Sequence, residues 1–90
     1  MAVLSKLLIK ETEMKKIKYG IIGTGVMGRE HIRNIELIEN AEVVALCDSH
    51  EPSINSSLEI INNNVQVFQN HLELIIANIV DACIIATPNF

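Results

Sequence analysis

The chain has almost nothing aromatic: one tyrosine, two phenylalanines and no tryptophan among 90 residues. With 49% of residues hydrophobic, what core it has must be aliphatic, which suits a compact α/β domain rather than disorder. Basic residues are also scarce, seven against eleven acidic ones, for a formal charge of −4. A nucleic-acid partner normally needs a basic face, so that class is excluded. There are only two cysteines, Cys47 and Cys83, both inside apolar runs, V-V-A-L-C and A-C-I-I-A. They read as buried, reduced thiols rather than a disulfide, which points to the cytoplasm. No apolar run approaches the ~20 residues that span a bilayer. His31, His50 and His71 lack metal-ligand spacing and the cysteines do not complete one, so no metal site is expected. Internal repeats, low-complexity tracts and linkers are missing too. Ninety residues allow one small domain, near the lower limit for independent stability.

The first ten residues, M-A-V-L-S-K-L-L-I-K, are weakly apolar, but Lys6 interrupts them and no basic n-region or A-x-A-like cleavage site is present. Residues 1–14 are expected to be a loosely ordered extension, with the domain running from 15 to 90. Within it, Ile17–Ile22 alternates and then turns continuously apolar, as a strand covered on both faces does. Val26 to Ile38 has a helical stripe of Gly28, Ile32 and Ile35, with Leu37 and Ile38 near its end. Glu42–Cys47 is a second strand. Pro52 opens a helix with Ile54, Leu58 and Ile61 on its buried face, closed by a left-handed asparagine among 62–64. Val65–Phe68 alternates as a third strand. Asn70 and Glu73 resemble a capping box before H-L-E-L-I-I-A, and Ile79–Ala86 supplies a fourth strand. The order β-α-β-α-β-α-β with short connections predicts a parallel sheet with helices on both faces, part of a Rossmann-type doubly wound fold.

The turn between the first strand and helix reads G-T-G-V-M-G, placing Gly23, Gly25 and Gly28 in G-x-G-x-x-G spacing. Each glycine has its own task in a dinucleotide turn. Gly23 lets the chain leave the strand sharply, and Gly25 leaves room for a pyrophosphate. Gly28 shares the stripe of Ile32 and Ile35, so the helix can pack closely. The helix then directs its free N–H groups and positive dipole end at the phosphates. Asp48 stands twenty residues after Gly28, at the end of the second strand. A carboxylate there can accept hydrogen bonds from ribose hydroxyls and repel a 2′-phosphate, favouring NAD over NADP. The competing structural role for Asp48 is to cap the turn into the Pro52 helix. A methyltransferase would show a tighter G-x-G-x-G turn. Asn55-Ser56-Ser57 matches a glycosylation acceptor by coincidence. His31 is read as a packing or hydrogen-bonding residue, and His50 and His71 as surface or loop residues.

K-I-K-Y-G-I-I-G-T-G-V-M-G-R-E-H, A-L-C-D and V-D-A-C-I-I-A-T-P-N together resemble the N-terminal domain of the Gfo/Idh/MocA oxidoreductases, over Lys15 to Phe90. The resemblance implies NAD(P) on the glycine turn, with Thr24, Val26 and Met27 as intervening cofactor-binding positions. It also implies Asp48 on the ribose and Thr87, Pro88 and Asn89 beside the nicotinamide half. Family members move a hydride between the nicotinamide and a sugar, polyol or related carbonyl compound, and a second domain holds most of the substrate. The family's catalytic lysine, in an E-K-P motif, has no counterpart here, so no catalytic residue is assigned. The chain is therefore expected to be the cofactor-binding portion of such an enzyme, as a fragment, split gene or partial product, and inactive alone. The alternative is a non-catalytic nucleotide-binding or interaction module that pairs with another chain.

Overall fold

The computed structural model describes residues 16–87. The expected extension over 1–14 and the site positions Pro88 and Asn89 lie outside the described residues. Seven elements follow in the anticipated order: β1 (Ile17–Ile22), α1 (Val26–Glu36), β2 (Ala41–Cys47), α2 (Glu51–Leu58), β3 (Gln66–Phe68), α3 (His71–Ala77) and β4 (Ala82–Ile85). The strands form one parallel sheet in the order β3-β2-β1-β4. Because β2 lies on one side of β1 and β4 on the other, the strand order reverses at β1. The carboxyl end of that strand is where such a sheet opens a crevice.

Two clusters of aliphatic side chains hold the layers together. Ile32 and Ile35 of α1 and Ile54 of α2 pack with Ile21, Val43 and Leu46. Leu74 of α3 packs with Ile22, Ala45 and Cys47, so the helices do cover both faces. Strand β2 serves both clusters because its side chains alternate between faces, and its pairing with β1 skips Val44, Tyr19 facing Val43 and Gly20 facing Ala45. That bulge puts Val44 and Ala45 against the same cluster in succession. Hydrogen bonds continue past the strand ends: Gly23 N–H donates to Cys47 O at 2.8 Å, Ala86 N–H to Ile22 O at 2.7 Å, and Asp48 N–H to Phe68 O at 3.1 Å. The three chain segments that leave the carboxyl edge are thus stitched to one another before they diverge.

Several boundaries differ from the expectation. Helix α1 stops at Glu36, and Leu37 and Ile38 are exposed rather than part of the stripe. Helix α2 ends at Leu58 with Glu59 as a right-handed cap, and its buried face is Ile54 and Ser57, with Leu58 exposed. Ile61 is buried, but beyond the helix. No asparagine in 62–64 is left-handed; among the described non-glycine residues that conformation falls to Asn78, which caps α3 at φ 53°. Asn70 does cap α3, its Oδ1 accepting from Leu72 N–H at 2.7 Å. Strand β4 is shorter than Ile79–Ala86, starting after a bend at Asp81, whose N–H donates to Lys18 O and whose carboxylate, in place of a backbone carbonyl, accepts from Lys18 N–H.

Cys83 is exposed, contrary to expectation, whereas Cys47 is buried; both are free thiols. Burial pushes the Cys47 thiol above its ordinary pKa, and the charges of Asp48, Glu73 and Cys83 add to the effect. Strand β4 and α3 leave large apolar side chains uncovered, with Ile85 73% and Ile76 79% exposed and Leu72 and Ile75 also exposed. No helix among the described residues is long and apolar enough to cross a membrane. Nor do they contain a group of three or more side chains that could hold a metal.

Candidate functional site

The crevice at the end of β1 is an open cleft of about 620 Å³, lined by Gly23, Gly25, Val26, Met27, Asp48, His50, Ser53, Ala86 and Thr87. It therefore gathers residues from the first turn, the end of β2, the start of α2 and the segment after β4. Of the anticipated site residues, Gly23, Gly25, Val26, Met27, Asp48 and Thr87 meet there. Thr24 and Gly28 do not line it; both are buried behind it.

The glycines do three different things. Gly23 has φ +95°, and a Cβ there would stand 2.8 Å from the backbone atoms of Ala86 and Thr87. Only glycine meets both demands, a left-handed turn and close passage of the chain leaving β4. A Cβ on Gly28 would collide with the carbonyl oxygen of Gly23 and come within 2.9 Å of its carbonyl carbon. Its missing side chain thus lets α1 pack on the turn itself, as well as on Ile21 of the sheet. Gly25 has nothing within 4 Å of where a Cβ would be. The space there opens beside the first residues of α1, where Gly25 is the N-cap and supplies no side-chain bond. The first N–H groups of a helix have no partner within it, and α1 has no acidic side chain in its first turn to satisfy them. An anion fits that position.

Asp48 brings a carboxylate into the same cleft. Its Oδ2 accepts from Thr24 N–H at 2.8 Å and from the Thr24 hydroxyl at 2.9 Å, and its Oδ1 accepts from His50 N–H at 2.8 Å. Partial burial acts to raise the pKa of this carboxyl. It is outweighed by the Thr24 and His50 N–H groups, the Thr24 hydroxyl and the His50 charge, which hold it below its ordinary value. A depressed carboxyl stabilises the fold above its unfolded pKa of about 4 and loses that effect as pH falls through the folded value. Wild type should accordingly unfold at a higher temperature than Asp48→Asn at pH 7. The gap should begin to shrink below about pH 4 and close in stronger acid. A gap independent of pH, followed by circular dichroism, would contradict the charged latch.

His50 and Ser53 were missed by the sequence reading as site residues. His50 caps α2, and its Nδ1 lies 2.8 Å from Ser53 Oγ, so the pair forms part of the wall next to Asp48. Their position two and five residues beyond Asp48, just ahead of and inside a proline-started helix, is the signal that could have found them. His31 is half-buried on α1 and His71 is exposed at the start of α3; neither lines the cleft.

This arrangement can seat an anion at the start of α1 and a hydroxyl-bearing group at the Asp48 carboxylate. It fits a dinucleotide on observations independent of any relative: the space in front of Gly25, the unpartnered helix start, and a carboxylate in the same cleft. Comparison with known proteins agrees. Residues 17–90 match the GFO_IDH_MocA family profile, described as an oxidoreductase family with an NAD-binding Rossmann fold. The chain is similar to the inositol 2-dehydrogenase/D-chiro-inositol 3-dehydrogenase of Shouchella clausii, with 33% identity over 72 residues, covering 79% of this chain and 21% of that protein. It is 38% identical over 77 residues to glucose-6-phosphate 3-dehydrogenase of Bacillus subtilis, covering 86% of this chain and 20% of that one. The crystal structure of myo-inositol dehydrogenase from Lactobacillus casei in complex with NAD(H) and myo-inositol aligns with a TM-score of 0.72 at 32% identity, over 80% of this chain and 22% of that one. The chain spans about a fifth of the length of these relatives.

Proposed function

The chain belongs to the Gfo/Idh/MocA oxidoreductase family, and from that premise we propose that it is the cofactor-holding portion of an NAD-dependent dehydrogenase of a sugar, polyol or related compound. The observation that carries this reading is the empty approach to Gly25 at the start of α1, with Asp48 in the same cleft. The first N–H groups of α1 would hold the pyrophosphate, with Val26 and Met27 flanking it. Asp48 would take the adenosine ribose through its Oδ1, and its charge would repel a 2′-phosphate, which favours NAD over NADP. Ala86 and Thr87 line the cleft where their backbone passes against Gly23, and by family resemblance Thr87, Pro88 and Asn89 pass beside the nicotinamide half. When bound, NAD supplies the hydride acceptor. The described residues bind and orient it, and none is assigned as an acid or base for the substrate.

The sugar or polyol class rests on the names of similar proteins, the inositol and glucose-6-phosphate dehydrogenases. Residues 15–90 act in this reading as part of the cofactor domain, with 1–14 as an extension. The two free thiols support cytoplasmic residence. The uncovered apolar side chains of α3 and β4 support association with polypeptide that completes the enzyme, in this chain or another. Calorimetric titration with NAD, NADP and AMP tests the cofactor reading, alone and with the product of the adjacent reading frame. NAD should bind more tightly than NADP, and hydride transfer should arise only on completion. A folded chain that binds none of the three nucleotides would overturn the assignment.

A further inference from the structure

Every polar atom of Thr24, which the family resemblance places among the cofactor contacts, already has a partner within the protein. Its N–H and its hydroxyl both donate to Asp48 Oδ2, at 2.8 and 2.9 Å. Its carbonyl oxygen accepts from Arg29 Nη1 at 2.8 Å and from Ser57 Oγ at 3.5 Å. The residue is 0% exposed, as is Ser57, and it lines no part of the cleft. Buried polar groups that are fully partnered fix one geometry, because losing a partner leaves an expensive vacancy. Four segments meet on this one residue: the glycine turn, the end of β2, the first turns of α1 and the inner face of α2.

The consequence falls on Asp48. Each carboxylate oxygen has about two acceptor positions. Thr24 fills both on Oδ2, and His50 N–H fills one on Oδ1. One acceptor position on Oδ1 remains. We propose that Thr24 is a positioning residue, not a cofactor contact: its buried hydroxyl and amide clamp one oxygen of Asp48, so that the carboxylate meets the cofactor ribose through the other. The inference rests on the NAD reading above and assigns a new role within it. The charged and titratable groups around this carboxylate are His50 on the α2 side, Arg29 reaching the Thr24 carbonyl from α1, and Cys47 next to it on β2.

The test uses Thr24→Val, which keeps the shape and the amide but removes the hydroxyl, and Thr24→Ser, which restores it. Two readouts are taken on the full chain: titration of the Asp48 carboxyl by carbon NMR, and affinity for NAD and NADP by calorimetry. In Thr24→Val the Asp48 carboxyl should titrate at higher pH than in wild type. NAD affinity should fall roughly three- to ten-fold, the loss expected for one hydrogen bond to a charged group acting indirectly. Thr24→Ser should return both. Unchanged carboxyl titration with a folded Thr24→Val chain overturns the clamp, whatever happens to NAD. Wild type that binds no NAD, together with a shifted Thr24→Val titration, overturns the cofactor reading but not the clamp. If Thr24→Val fails to fold, Thr24→Ser against wild type carries the comparison; loss of NAD affinity and of the depressed titration in Thr24→Ser, where the hydroxyl is kept, contradicts the proposal.

Discussion

Asp48→Ala is expected to weaken NAD binding about 10- to 100-fold, the range for hydrogen bonds to a charged group, while NADP loses much less. Two losses combine in this variant, and they separate by ligand. The glycine turn loses its anchor, since Thr24 N–H and hydroxyl no longer have an acceptor. That loss reaches any nucleotide that uses the turn. The ribose also loses its acceptor, which harms NAD, whereas removal of the negative charge relieves NADP of repulsion from its 2′-phosphate. The affinity ratio of NAD to NADP should therefore fall towards one. Calorimetry on both nucleotides reads it directly, and an equal proportional loss for the two would refute the ribose role while sparing the anchor.

The second large effect belongs to Gly28→Ala, in which NAD binding should fall below detection and the fold should weaken. The added methyl has nowhere to go. It meets the Gly23 carbonyl, and Gly23 cannot retreat because the Ala86–Thr87 backbone already passes against it. Helix α1 must lift, carrying its N-terminus out of register with the cleft. Overpacking of this kind costs about 1–3 kcal/mol, which for a domain this small lowers the melting temperature by roughly 5–20 °C. Gly25→Ala is the control. Its methyl enters open space at φ −72°, so stability should fall by no more than the ~1 kcal/mol of a poorer N-cap while NAD affinity still drops. Thermal melts paired with titrations distinguish the two glycines. Gly28→Ala that keeps its melting temperature would show that the helix has room the geometry denies.

Much of this was readable in the sequence, for reasons that are local. Strand and helix periodicity gave the element order, and the glycine spacing with Asp48 at its expected distance marked the cleft. What escaped depended on neighbours that are distant in the chain. The Thr24–Asp48 bonds join residues 24 apart, and no periodic pattern announces such a pair. Along α2, positions 54 and 57 share a helical face as well as 54 and 58 do. Leu58 is the more apolar choice, but burial went to Ser57, whose hydroxyl meets the Thr24 carbonyl. The run A-C-I-I-A looks like a covered strand, yet β4 lies at an edge of the described sheet and Cys83 is exposed. Asparagine tolerates the left-handed conformation wherever it stands. The fold uses that tolerance at Asn78, where α3 must turn at once into the approach to β4.

The stitching of the carboxyl edge has a kinetic meaning. Gly23, Asp48 and Ala86 each hang from the neighbouring strand by a backbone hydrogen bond, so the cradle is no loop that waits for a ligand to order it. A site held in this way should lose little apparent affinity to incompetent molecules. Nucleotide should arrive in one phase at an ordinary encounter rate, without a slow isomerisation. Differences among nucleotides and among variants that keep the edge intact then reside in how long the ligand stays.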